Sequence, residues 1–109
     1  HEVKVTLDDV LKCANILLKD GGTFAMVHRS ERLLDILECF RKYNIEPKRL
    51  RFVYAKTNSI ESVAILIEGK KATKPGGLKI LNPLYVMDEE GNYTEEVLKI
   101  FNYKKVWLW

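Results

Sequence analysis

Apolar residues recur every three or four positions in the first part of the chain, between Thr6 and Lys19. This spacing predicts an amphipathic helix with one apolar face. Thr6 precedes the first turn and Asp9 follows three residues later, as in a capping box. Gly21 and Gly22 are expected to end the helix, because glycine adopts the left-handed backbone conformation readily.

A run of consecutive apolar residues follows at Thr23–His28, and it favours a strand that is buried on both faces. The helical spacing then returns. We expect a second helix with Ser30 as its N-cap, closed by Asn44 and Pro47.

Two further strands are predicted at Leu50–Lys56 and Val63–Ile67, and the short gap between them permits an antiparallel hairpin. The strand at Thr23–His28, the second helix and the strand at Leu50–Lys56 form a βαβ core, beside which the strand at Val63–Ile67 can insert antiparallel. The predicted fold is therefore α/β, with a mixed three-stranded sheet and flanking helices.

The remainder of the sequence has a different character. Residues 70–77 predict a basic, flexible loop, and Leu78–Met87 predicts an extended segment. Tyr93–Asn102 predicts a short helix with Asn92 as its cap. We therefore expect two parts, a half domain at residues 1–69 and an extension at residues 70–109.

Composition adds little to this picture. The chain has 109 residues, which fits one small domain. Its net charge of +3 is weak evidence for any partner. Cys13 and Cys39 stand far apart without metal-ligand spacing, so we expect two buried, reduced thiols, as is usual in the cytoplasm. No apolar run approaches the roughly 20 residues of a membrane span, and no signal peptide is apparent. We expect a cytoplasmic protein without a membrane partner.

Several segments carry a resemblance to a known family. Leu17–Phe24 resembles the element that joins the fourth helix to the fifth strand in class I S-adenosylmethionine (SAM)-dependent methyltransferases. Four other segments resemble, more specifically, bacterial tRNA(Val) adenine-N(6)-methyltransferases. The four segments are residues 1–2, 26–33, 46–53 and 88–97. Within the second segment the resemblance lies at Met26–Arg29 and at Glu31–Leu33.

The resemblance implies the C-terminal half of a Rossmann-like methyltransferase fold, with strands five to seven in residues 1–69 and strand seven antiparallel between the other two. It implies SAM as cofactor and tRNA as partner of the whole enzyme, which would methylate the exocyclic amine of an adenine. This chain lacks the Gly-x-Gly turn and the Asn-Pro-Pro-Tyr motif of such enzymes. We therefore expect no catalytic, cofactor-binding or metal-binding residue here, and no activity of the chain alone. Asn82–Tyr85 imitates the motif but has Leu at its third position, and packing is its expected role.

The candidate RNA contacts are basic, and phosphate binding depends on charge rather than on sequence. They are Lys48, Arg49, Arg51, Lys70, Lys71 and Lys74. His28 and Arg29 are candidates on another ground, because they follow a predicted central strand and ligands of open α/β sheets bind near the C-terminal ends of strands. A solvated basic surface explains the same residues without function. A non-enzymatic RNA-binding or dimerisation module also remains open. In either case we expect the flank of the first strand to be covered by the missing N-terminal half or by self-association.

Overall fold

The computed structural model describes residues 4–102, and the predicted tryptophan-containing tail lies outside them. Three α-helices are present, α1 (Leu7–Leu17), α2 (Leu33–Lys42) and α3 (Glu95–Asn102). A 3₁₀ turn at Ser30–Arg32 precedes α2. The strands are β1 (Thr23–Arg29), β2 (Ile45–Lys56), β3 (Ala64–Lys71), β4 (Lys79–Ile80) and β5 (Leu84–Met87).

The strands form one mixed sheet in the order β1-β3-β2-β4, with β5 also paired to β2. β3 runs antiparallel to both of its neighbours, so β1 and β2 point in the same direction. This is the predicted insertion of an antiparallel strand between two parallel ones. The predicted number of strands is wrong, because five strands form the sheet within residues 4–102. β4 and β5 add to it by pairing in parallel with successive stretches of β2.

β2 and β3 are also longer than predicted. β2 begins at Ile45, and a register shift between Pro47 and Arg49 accommodates the proline, which cannot donate a ladder hydrogen bond. β3 continues to Lys71 and crosses the predicted boundary at residue 69.

Helices cover both faces of the sheet. The first face packs against α1 and α2 and holds the buried residues Leu11, Ala14, Ile36, Cys39, Phe40, Ile45, Leu50, Ile65 and Ile67. A smaller cluster on the other face joins α3 to the sheet through Val53, Leu66, Leu84 and Val97. Full burial of one such large apolar side chain stabilises the fold by about 1.5–3 kcal/mol, so the first cluster dominates.

β1 differs from the prediction of a strand buried on both faces. Phe24 and Met26 pack against the first core, whereas alternate residues are exposed. Val27 on the second face is 58% exposed, because α3 covers β2 and β5 and does not reach β1. Cys13 is likewise exposed rather than buried, whereas Cys39 is buried as predicted.

The predicted helix caps are confirmed in one case of three. Thr6 and Asp9 form the reciprocal capping box of α1. Ser30 instead hydrogen-bonds the Ser62 hydroxyl at 2.6 Å, and α2 begins after the 3₁₀ turn without a side-chain cap. Thr94, not Asn92, accepts a hydrogen bond from the first turn of α3. None of the helices between residues 4 and 102 is long and apolar enough to cross a membrane.

Candidate functional site

Two basic segments that are distant in sequence meet at one edge of the sheet. In the strand register Thr23 is opposite Lys70 and Ile45 is opposite Lys71, so β3 ends where β1 and β2 begin. Lys79 of β4 lies directly opposite Arg49 at the same edge. We call the resulting cluster the basic edge. It consists of Lys48, Arg49, Lys70, Lys74 and Lys79.

The loop between β3 and β4 is tied to the start of β2. The Lys48 ammonium donates to the Lys74 carbonyl at 2.7 Å and to the Gly76 carbonyl at 2.8 Å. The Gly76 amide donates to the Glu46 carboxylate at 2.8 Å. These contacts hold a loop that sequence alone predicts to be flexible. Gly76 has a φ of +90°, which a residue with a side chain rarely adopts.

Glu46 itself is held by Arg41, which donates two hydrogen bonds to it at 2.9 and 3.1 Å. Only 9% of Glu46 is exposed. The Arg41 side chain is the main cause that lowers the pKa of Glu46, and the Gly76 amide adds to the effect against the opposing burial. Glu46 is therefore ionised at neutral pH, and it anchors the loop as a charged acceptor.

A groove of about 400 Å³ runs along the basic edge on the face of the sheet that carries α3. It is lined by Lys48, Arg49, Glu68, Lys70, Gly77 and Lys79. Arg49 donates to Glu68 through two nitrogens at 3.0 and 2.6 Å, and this pairing raises the pKa of the Arg49 guanidinium. Lys79 is not among the predicted contacts, because nothing in the sequence indicates that β4 pairs with β2.

Arg51 and Lys71, two further predicted RNA contacts, also have structural partners. Arg51 is only 5% exposed and donates to the Asn82 carbonyl at 2.8 Å and to Glu96 at 2.6 Å. The Lys71 ammonium donates to the Leu18 carbonyl at 2.9 Å, at the C-terminus of α1, where the helix dipole favours a cation. Their contact with RNA remains a prediction.

His28 and Arg29 lie at the opposite end of the sheet, where β1 and β2 end. Six residue steps along β1 separate this end from the basic edge, which corresponds to about 20 Å. Arg29 forms an exposed ion pair with Glu31 at 3.4 Å, and His28 Nδ1 lies 3.5 Å from the Arg29 carbonyl. The candidate residues therefore form two separate groups.

Asn82–Tyr85 has structural contacts in the sheet. The Asn82 carbonyl accepts from Arg51, and Leu84 is buried in the second core. Tyr85 stacks on Tyr54 with ring centroids 5.4 Å apart. These contacts agree with the packing role expected from the sequence.

A second groove of about 400 Å³ lies beside the free flank of β1, and its lining is almost entirely apolar. It is formed by Val5, Asp9, Val10, Cys13, Ala14, Leu17, Leu18 and Phe24. Within the described part of the chain β1 pairs with β3 alone, so the hydrogen-bonding groups on its other flank are available to another strand. Leu17, which is 76% exposed, extends the apolar surface.

No group of His, Cys, Asp and Glu among residues 4–102 is arranged to hold a metal ion. No family model matches the sequence, and no curated protein matches it.

A solved structure is nevertheless similar to the chain. It is that of a predicted O-methyltransferase from Agrobacterium tumefaciens, with a TM-score of 0.75 at 15% sequence identity. The match covers 85% of this chain and 44% of that protein, so this chain spans less than half the length of the protein it resembles. The fold is thus mixed α/β and methyltransferase-like.

Proposed function

We propose that this chain is the C-terminal portion of a SAM-dependent methyltransferase that acts on the exocyclic amine of an adenine in tRNA. The observation that carries the proposal is the sheet order. An antiparallel strand lies between two parallel strands, and the same arrangement of elements matches less than half of a predicted O-methyltransferase. The tRNA and adenine specificity rests on the sequence resemblance alone.

The free flank of β1 supports the idea of a half domain. It offers unpaired backbone groups, with an apolar groove on one face and the exposed Val27 on the other. A strand with apolar side chains on both faces would cover this surface, as in a sheet that has helices on both sides. We infer that the N-terminal half of the whole enzyme supplies that strand.

SAM would supply the methyl group, but the residues of this chain do not fit a SAM site by themselves. The sequence has no Gly-x-Gly turn through which backbone could approach the cofactor closely. We therefore derive no catalytic step for these residues. Their role in the enzyme would be to complete the sheet and to present the basic edge.

The decisive observation is the coding sequence upstream of His1. We expect a Gly-x-Gly strand-turn-helix followed by an Asn-Pro-Pro-Tyr motif. A protein that includes this segment should transfer a labelled methyl group from SAM to tRNA. Calorimetric titration of SAM into the 109-residue chain alone should give no heat of binding. Stoichiometric SAM binding by the 109-residue chain, or an upstream sequence without these motifs, would overturn the proposal.

The same free flank favours a second candidate, a non-enzymatic module that dimerises through β1. Sheet edges of this kind pair with a second copy when no other strand covers them. A dimer of the 109-residue chain combined with an upstream sequence that lacks the two motifs would select this candidate.

A further inference from the structure

We propose that the basic edge is a docking surface for the sugar-phosphate backbone of RNA, about 20 Å from the end of the sheet where His28 and Arg29 lie. The identity of the polyanion as RNA rests on the proposed function. The position of the surface rests on the strand register. RNA is held at the start of the parallel strands, whereas ligands of open α/β sheets are usually bound at their ends.

The groove carries an excess of positive charge that folding does not require. Arg49 and Lys79 are directly opposite each other in paired strands, and like charges in such positions destabilise a sheet. Among residues 4–102, Glu68 is the one carboxylate that lines the groove, and it already binds Arg49 through two hydrogen bonds. Lys70 and Lys79 therefore add positive charge to a groove whose internal ion pair is complete.

The lysines of the basic edge are available to a ligand. The side chains of Lys70, Lys74 and Lys79 are exposed, and none of them forms a salt bridge within residues 4–102. Lys48 and Glu46 hold the loop that carries Lys74, so part of the surface is ordered before any ligand binds. Such pre-organisation reduces the entropy lost on binding.

The spacing of the lysines suits an extended ligand. Lys70 is on β3 and Lys79 is on β4, with β2 between them and an offset of two residues along the strands, so their backbones are about 12 Å apart. The cations line an open groove of about 400 Å³ on one face. Dispersed, exposed cations suit a chain of phosphates that is bound by charge, whereas a site for a single phosphate would need converging buried donors.

The test is fluorescence anisotropy of labelled tRNA with the 109-residue chain over a range of salt concentrations. Lys70→Gln combined with Lys79→Gln should weaken binding roughly tenfold at low salt and reduce the salt slope by about 0.7–0.9 per lysine. The matched control combines Lys4→Gln with Lys12→Gln, which removes the same charge from exposed positions before and on α1, where neither lysine forms a salt bridge within residues 4–102. The control should bind like the unchanged protein.

Folding is checked separately by thermal unfolding. Lys79→Gln removes a like-charge pair with Arg49, so its unfolding midpoint should be equal to or higher than that of the unchanged chain while RNA binding falls. Equal loss of binding in the control pair, or full binding by the Lys70 and Lys79 variant, would overturn the inference.

The two proposals fail in different ways. If the enzyme that includes the upstream segment methylates tRNA with an unchanged KM after the Lys70 and Lys79 substitutions, the docking surface is wrong and the function stands. If the basic edge binds RNA but that longer protein methylates none, the function is wrong and the surface stands.

Discussion

At the scale of single residues, Glu46 is a nearly buried carboxylate that accepts two hydrogen bonds from Arg41. Its pKa is lowered from the ordinary value of 4.5, first by Arg41. A carboxyl whose pKa is lower in the folded protein stabilises the fold above its unfolded pKa, and this contribution is lost as the pH falls through the folded pKa. Below about pH 4.5 we expect the free energy of unfolding of the unchanged protein to fall more steeply with decreasing pH than that of the Glu46→Gln variant. Urea unfolding of both proteins at several pH values measures this. Parallel curves for the two proteins would contradict this.

Gly69 is the residue at which a single methyl group should matter most. A Cβ at this position would lie 2.8 Å from both the Glu46 carbonyl oxygen and Ile45 Cγ2, and 3.0 Å from Phe40 Cδ2. Because the first contact is with backbone, a side-chain rotation cannot relieve it. Gly69→Ala should lower the free energy of unfolding by about 1–3 kcal/mol, as measured by chemical denaturation. An unchanged midpoint would show that β2 and β3 can separate locally at no cost.

At the scale of elements, neighbouring lysines on β3 serve different purposes. The Lys71 ammonium binds the Leu18 carbonyl at the end of α1, whereas Lys70 is exposed in the basic groove. Lys71→Gln should lower the free energy of unfolding by about 1–3 kcal/mol, because it removes charged hydrogen bonds to the Asn15 and Leu18 carbonyls. Lys70→Gln, the matched control, should leave stability unchanged and weaken RNA binding. The reverse pattern would contradict both assignments.

The elements also show which parts of the fold the sequence can predict. Apolar periodicity and consecutive apolar runs are local signals, and α1, α2 and the centres of β1, β2 and β3 follow them. Pairing partners are not local. β4 is two residues long and exposed, so its place beside β2 depends on backbone hydrogen bonds that leave no pattern in the side chains.

The candidate site could likewise be predicted only in part from the sequence. The basic segments around Lys48 and Lys70 were visible as clusters in the sequence, but their meeting at one edge follows from the antiparallel path of β3. The partners of Arg51 are likewise distant in sequence, because its guanidinium donates to the Asn82 carbonyl and to the Glu96 carboxylate. Charge patterns therefore indicate candidates, and strand register decides which of them can act together.

At the scale of the whole molecule, the main question is what covers β1. Val27 lies exposed on its second face, and the apolar groove beside α1 lies on the other. Without another strand, we expect the 109-residue chain to self-associate through this flank, which sedimentation velocity over a dilution series would detect. Val27→Lys should shift the chain towards monomer, because a charge on an edge strand opposes pairing with a second sheet.

The matched control is Ile60→Lys, which replaces a side chain that is 93% exposed in the loop between β2 and β3, away from the flank of β1. It should associate like the unchanged chain, since general surface hydrophobicity is reduced equally in both variants. A stable monomer of the unchanged chain at all concentrations would argue against self-association. Addition of the N-terminal half should protect the β1 amides from hydrogen exchange, because the proposed strand would pair with the free flank of β1.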